Sequence, residues 1–100
     1  MAHGSKWTKQ QAQYLVIMKL GTKYLWQAIA DIFRYKFPGT MVNSKDCESK
    51  FNKELKSSDE TFWVEDFKRY GSIPECEEGE RMIALLVLWL GEVPLVDREI

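Results

Sequence analysis

The sequence predicts an all-α domain built from five helices. Apolar residues recur at spacings of three and four nearly throughout, and no clean apolar/polar alternation marks a strand. Glycine and proline punctuate the chain at Gly21, Pro38–Gly39, Gly71, Gly91 and Pro94, leaving segments of helical length between them. Aromatic residues make up 13% of the chain, and four tryptophans can anchor helices on one another without covalent staples. One hundred residues leave little room for a second core, so residues 1–100 are expected to form a single domain.

Thr8 can cap the first helix, which then runs to Leu20 with Gly21 as a left-handed stop. Leu15 and Met18 share one of its faces, joined by Trp7 just before the start. The second helix covers residues 23–36 and turns Trp26, Ile29, Ala30 and Phe33 inward. Pro38 then disfavours helical geometry at Phe37, and Gly39 permits a turn. Ser44 caps the third helix, "SKDCESKFNKELKS", in which Cys47, Phe51 and Leu55 recur every four residues as a buried stripe.

Ser58 or Asp59 caps the fourth helix, where Trp63, Phe67 and Tyr70 align at i, i+4 and i+7 before Gly71 ends it. The fifth begins in "SIPECEEGE", with Pro74 suited to a first-turn position and several acids at the positive end of the dipole. It continues through "MIALLVLWL", residues 82–90, until Gly91 and Pro94. A continuous apolar run also suits a buried strand, but no strand partner stands elsewhere, so a helix is expected. Its nine residues are too few for a bilayer, which needs about 20 in a helix, so no membrane association is expected. The tail, residues 93–100, is expected to fray or dock loosely.

Several function classes recede on composition. The single histidine is His3, and Cys47 and Cys76 have no companion ligands at metal-binding spacing, so no metal site and no cofactor are expected. No nucleophile–base pair and no glycine-rich phosphate loop occurs, so the chain is not expected to be an enzyme. The acids of "ECEEGE" lack the pattern of a calcium loop and suit a helix N-terminus. Reduced cysteines and the absence of a signal-like start favour an intracellular setting.

Net charge is −1, but it is split along the chain. Residues 1–57 hold ten Lys or Arg against four Asp or Glu, a net +6, whereas residues 58–100 hold four against eleven, a net −7. The first half is therefore suited to an anionic partner and the second is not.

The first half also resembles a Myb/SANT-type domain. "KWT" supplies Trp7, "LWQAIADIF" supplies Trp26 with its Ile-Ala continuation, and "SKDCESKF" supplies Cys47 four residues before the aromatic Phe51. Leu15 and Met18 fall at the apolar positions of helix one. Three features depart from the family pattern. "KQQA" replaces the usual acidic cluster after the first tryptophan, Phe51 stands for the third tryptophan, and "RYKFPGTMVN" lengthens the path to the third helix. The extra length is closer to the trihelix branch. The resemblance implies a three-helix helix-turn-helix unit over 5–57; the fourth and fifth helices, over 58–92, lie outside a minimal repeat and are expected to pack on it, with the tail following. Its structural core would be Trp7, Leu15, Met18, Trp26, Ile29, Phe33, Cys47, Phe51 and Leu55.

It also implies nuclear localisation, a role in transcription regulation or chromatin, and a third helix laid in the major groove of double-stranded DNA. Base-contacting positions of such repeats match Lys45, Glu48, Ser49, Asn52 and Lys53, while Lys50 and Lys56 suit phosphate contacts. An ordinary solvated face accounts for the same residues, because Lys50 and Glu54 are spaced as a helical ion pair and the helix carries four lysines against three acids. The same fold also serves as a SANT-type protein-interaction module for histone tails or complex subunits. The apolar fifth helix, with Leu86 and Trp89, offers a face for a protein partner or a dimer. Such domains usually belong to longer chains.

Overall fold

Thr8 and Gln11 start the first helix reciprocally. The Gln11 amide donates to Thr8 Oγ1 at 3.1 Å and the Thr8 amide donates to Gln11 Oε1 at 3.0 Å, so two otherwise orphaned donors are satisfied. In the computed structural model, which describes residues 7–72 and 76–100, this helix α1 spans Lys9–Gly21. It is followed by α2 (Trp26–Lys36), α3 (Ser44–Lys50), α4 (Asp59–Tyr70) and α5 (Glu77–Leu90). Helix α3 runs on into a π-helical turn over Phe51–Leu55, and Leu95–Asp97 form a short 3-10 turn. Among the described residues no strand forms, and the single extended pairing is an antiparallel bridge between Thr22 and Arg98. The fold is all-α with five helices, as the spacing predicts.

Tyr14, Leu15, Val16, Ile17 and Met18 are consecutive and all 3% exposed or less. Five successive residues point right round a helix, so α1 has no solvent face there. It touches α2 and the π-turn as well as α4 and α5, while α2 packs on α3 and α4 on α5. The apolar stripe expected through Leu15 and Met18 is thus half of a complete ring. One core cluster takes residues from every helix, including Ile29 and Phe33 of α2, Val64 of α4 and Met82, Leu86 and Trp89 of α5. The radius of gyration, 12.9 Å, is close to the ~13 Å of a folded 100-residue unit.

Several boundaries and faces differ from expectation. Gly21 ends α1 without a left-handed turn, since the glycines with positive φ among the described residues are Gly39 and Gly71. Gly21 supplies room instead: a Cβ there would lie 3.0 Å from Leu90 Cδ2 of α5. Helix α2 begins at Trp26, not at residue 23, because the preceding backbone is committed to the C-terminal segment. Lys23 N–H donates to the Asp97 carbonyl and Glu99 N–H to the Gly21 carbonyl, both at 2.8 Å. The Tyr24 hydroxyl donates to Asp97 Oδ2 at 3.1 Å. Of the two expectations for the tail, fraying or loose docking, the structure shows docking, through these bonds.

Asn43, not Ser44, caps α3: its Oδ1 accepts from the Asp46 amide at 2.8 Å, and Asp46 Oδ2 accepts from the Asn43 amide at 3.0 Å. Ser58 caps α4, and Gly71 ends it in the left-handed region at φ 74°. The buried residues of α4 are Thr61 and Val64, whereas Trp63 and Phe67 are half-buried and Tyr70 is exposed. The Thr61 hydroxyl donates to the Leu55 carbonyl at 2.6 Å, which fastens that face to the preceding turn and leaves Tyr70 outside. In α5, Cys76 Sγ accepts from the Gly79 amide at 3.3 Å as the cap. Pro74, expected in the first turn, lies outside the described residues.

Candidate nucleic-acid interface

The third helix is held by its apolar side. Cys47, Phe51 and Leu55 are all buried, and the Phe51 ring lies 5.7 Å from that of Trp26. The Cys47 thiol is pushed up to about 11, by burial first and then by Asp46, against the opposing pull of Arg34. It stays protonated at neutral pH and serves as a packing group. Trp7 and Trp26 are half-buried. Trp7 meets Phe33 at 5.1 Å and carries the Lys50 ammonium over its ring at 5.8 Å, while Lys19 lies 4.9 Å over Trp26.

The π-turn explains how a strict four-residue repeat remains on one face. In an α-helix each four-residue step overshoots a full revolution by about 40°. The wider i→i+5 turn takes more residues per revolution, and here the Lys56 amide donates to the Phe51 carbonyl at 2.8 Å. Leu55 is thereby returned to the side of Cys47. The same turn bends the outer rows: Lys53 and Lys56 are rotated relative to Lys45 and Glu48 from where an uninterrupted α-helix would put them.

Lys45, Glu48, Asn52, Lys53 and Lys56 are exposed, and Ser49 is half-buried. Lys50 sits differently: its side chain is 16% exposed and its ammonium lies 2.9 Å from Glu54 Oε1. With the Trp7 contact, this turns Lys50 back onto the protein instead of leaving it free for a phosphate. Asp46 is committed to the cap, and among the described residues Lys45, Lys53 and Lys56 join no ion pair. The outward charge is then three lysines against Glu48, a net +2, compared with +1 when every charged residue of the stretch is counted.

Arg34 is a residue that sequence reasoning missed. Its Nη1 donates to the Val42 carbonyl at 2.6 Å and its other guanidinium nitrogen pairs with Asp31. Val42 itself is buried, so the lengthened α2–α3 connection is pinned to the core. A basic residue in the last turn of α2 was the only signal, and it does not reveal a partner eight residues away.

Leu86 and Trp89, expected to be open to a partner, are each 2% exposed and belong to the core. The burial stripe of α5 runs Met82, Leu86, Trp89, and the large apolar side chains it leaves exposed are their neighbours Val87 and Leu88. Among the described residues no group of three or more His, Cys, Asp or Glu could hold a metal ion. No helix among them is long and apolar enough to cross a membrane. No protein-family model, curated protein or solved structure matches the chain.

Proposed function

We propose that the chain is a Myb/SANT-like, trihelix-like DNA-binding domain of a nuclear protein acting in transcription or on chromatin. Its third helix and π-turn would lie in the major groove, which is wide enough to admit a helix. The observation that carries this is the outer face of that helix: Lys45, Lys53 and Lys56 are exposed on it without ion-pair partners among the described residues, and Asn52 stands among them. Asn52 suits a bidentate pair with adenine, the lysines suit guanine acceptors or phosphates, and Glu48 can accept from cytosine. The docked stripe below holds these side chains on a rigid element.

Fluorescence anisotropy with a mixed-sequence duplex at low and moderate salt tests the reading. Binding should weaken steeply with salt, with a slope of about 0.9 per phosphate neutralised. The double variant Lys45→Glu/Lys53→Glu should abolish binding while far-UV circular dichroism stays native, both side chains being exposed. A native protein that binds no duplex even at low salt would sink the proposal.

The second reading is a SANT-type module that binds a histone tail or a complex subunit. The exposed Val87 and Leu88 on α5 favour it, together with the shallow groove of ≈ 400 Å³ that Val87 lines with Phe67, Leu90 and Arg98. It predicts no duplex binding and saturable binding of a histone-tail peptide.

A further inference from the structure

A second recess lies between α2 and the end of α5. Its volume is ≈ 440 Å³, within the usual range of ligand pockets. Tyr14, Tyr24, Tyr35 and Trp89 line it, together with Lys36 and Glu92. Tyr14 and Trp89 belong to the core at 3% and 2% exposure, whereas Tyr35 is 87% exposed and buries almost nothing there, so packing does not account for its ring.

The charge of the recess is as selective as its walls. Glu92 lines it, and Asp97 Oδ2 accepts from the hydroxyl of Tyr24, another lining residue, at 3.1 Å. Tyr14 is pushed up to about 12, by burial first and then by Glu92 and Tyr24, so its ring remains a neutral phenol at neutral pH. Rings with negative faces and carboxylates beside them attract a cation and repel an anion.

The chain already places a cation there. The Lys36 ammonium lies 5.9 Å from the centre of the Tyr14 ring and 3.0 and 3.2 Å from the two Glu92 carboxylate oxygens. Tyr14 is only 3% exposed, so the lysine occupies the approach to that ring face. The Lys36 side chain is 28% and that of Glu92 50% exposed, and such a pair is weak and readily opened.

We propose that this recess is a binding site for a quaternary ammonium group, held by Tyr24 and Tyr35 over the face of Tyr14 with Glu92 as counter-charge, and occupied by Lys36 in the free protein. A methylated ammonium makes no demand for hydrogen bonds and keeps its charge, which is what aromatic walls favour over the strongly hydrated lysine ammonium. The site shares no residue with the outer face of α3, so it stands whether or not the chain binds DNA.

The full chain is titrated with tetramethylammonium chloride at constant ionic strength, following the ligand methyl resonance and the Trp89 indole N–H by NMR. Lys36→Ala should bind more tightly than the native protein and should show the upfield methyl shift caused by aromatic rings. Tyr35→Ala, whose exposed side chain the fold does not need, should weaken binding about two- to fivefold. Glu92→Gln, made in the Lys36→Ala background, should weaken it at least as much. Choline and N-acetyl-trimethyl-lysine amide separate a lipid or metabolite source from a peptide source, and saturable binding of either supports the site. Absence of saturable binding in Lys36→Ala, or binding unchanged by both Tyr35→Ala and Glu92→Gln, would overturn the proposal.

Discussion

Trp89→Ala is the most direct test of how α5 sits on α1. The indole is 2% exposed and meets the Tyr14 ring edge-on, at 5.1 Å and an interplanar angle of 77°. Its removal leaves a hole beside a helix that is already enclosed on every side. Truncating a buried aromatic to alanine costs about 3–5 kcal/mol, because the surroundings collapse only in part. The lost edge-to-face contact accounts for about 0.5–1.5 kcal/mol of that. In a domain of this size each kcal/mol moves the thermal midpoint by about 4–8 °C, so the midpoint should fall by roughly 12–40 °C. Urea unfolding followed by far-UV circular dichroism reads the change, since four tryptophans would blur a fluorescence signal. Val87→Ala, at a neighbouring position that is 70% exposed, is the control and should stay within about 0.5 kcal/mol. A loss below about 1 kcal/mol for Trp89→Ala, or a larger loss for Val87→Ala, would refute the register assigned to α5.

Two further outcomes follow from local geometry. Gly21→Val should destabilise by about 1–3 kcal/mol through overpacking against Leu90, and pairing it with Leu90→Ala should recover part of the loss; a double variant with no recovery would mean that Leu90 is not what a side chain at position 21 meets. Stability should also fall at alkaline pH. Tyr14 rises from 10.0 to about 12 and Cys47 from 9.0 to about 11 on folding, so the native state keeps protons that the unfolded chain releases. The stabilisation is complete below about pH 9 and is lost as pH climbs through 11 and 12. A urea midpoint that stayed level from pH 8 to 11 would contradict it.

What the sequence carries openly is punctuation and one-sided burial. Thr8, Ser58 and Gly71 stand where their side chain or backbone freedom requires, and Cys47, Phe51 and Leu55 form a stripe because the third helix buries only one face. Helix α1 defeats the same logic. A helix buried all round has no stripe to detect, so Tyr14, Val16 and Ile17 carry no periodic signal. The run "MIALLVLWL" fails for a related reason: nine consecutive apolar residues leave every register open, and α1 decides that Leu86 and Trp89 turn inward while Val87 and Leu88 turn outward. The docked tail rests on backbone hydrogen bonds to Gly21 and Lys23, which side-chain identity does not encode.

For the third helix, residue types are legible but their availability is not. Lysine spacing alone ranks Lys50 with Lys56, yet Lys50 has the Trp7 ring and the Glu54 carboxylate within reach, while Lys56 has neither kind of contact among the described residues. Holding Lys50 inward with Glu54, and Asp46 in the cap, removes one positive and two negative charges from the outer face, which is how a helix with a net charge of +1 comes to present +2 outward. A net charge of only +2 attracts phosphates modestly, so affinity for a duplex would depend on cations of the first half beyond this helix, where Lys9 and Lys23 are also exposed. The presence of duplex binding separates the two functional readings, and its salt slope then shows how much of the basic half takes part. A slope near three phosphates would come from Lys45, Lys53 and Lys56 alone, and a steeper one would bring in the rest of the basic half.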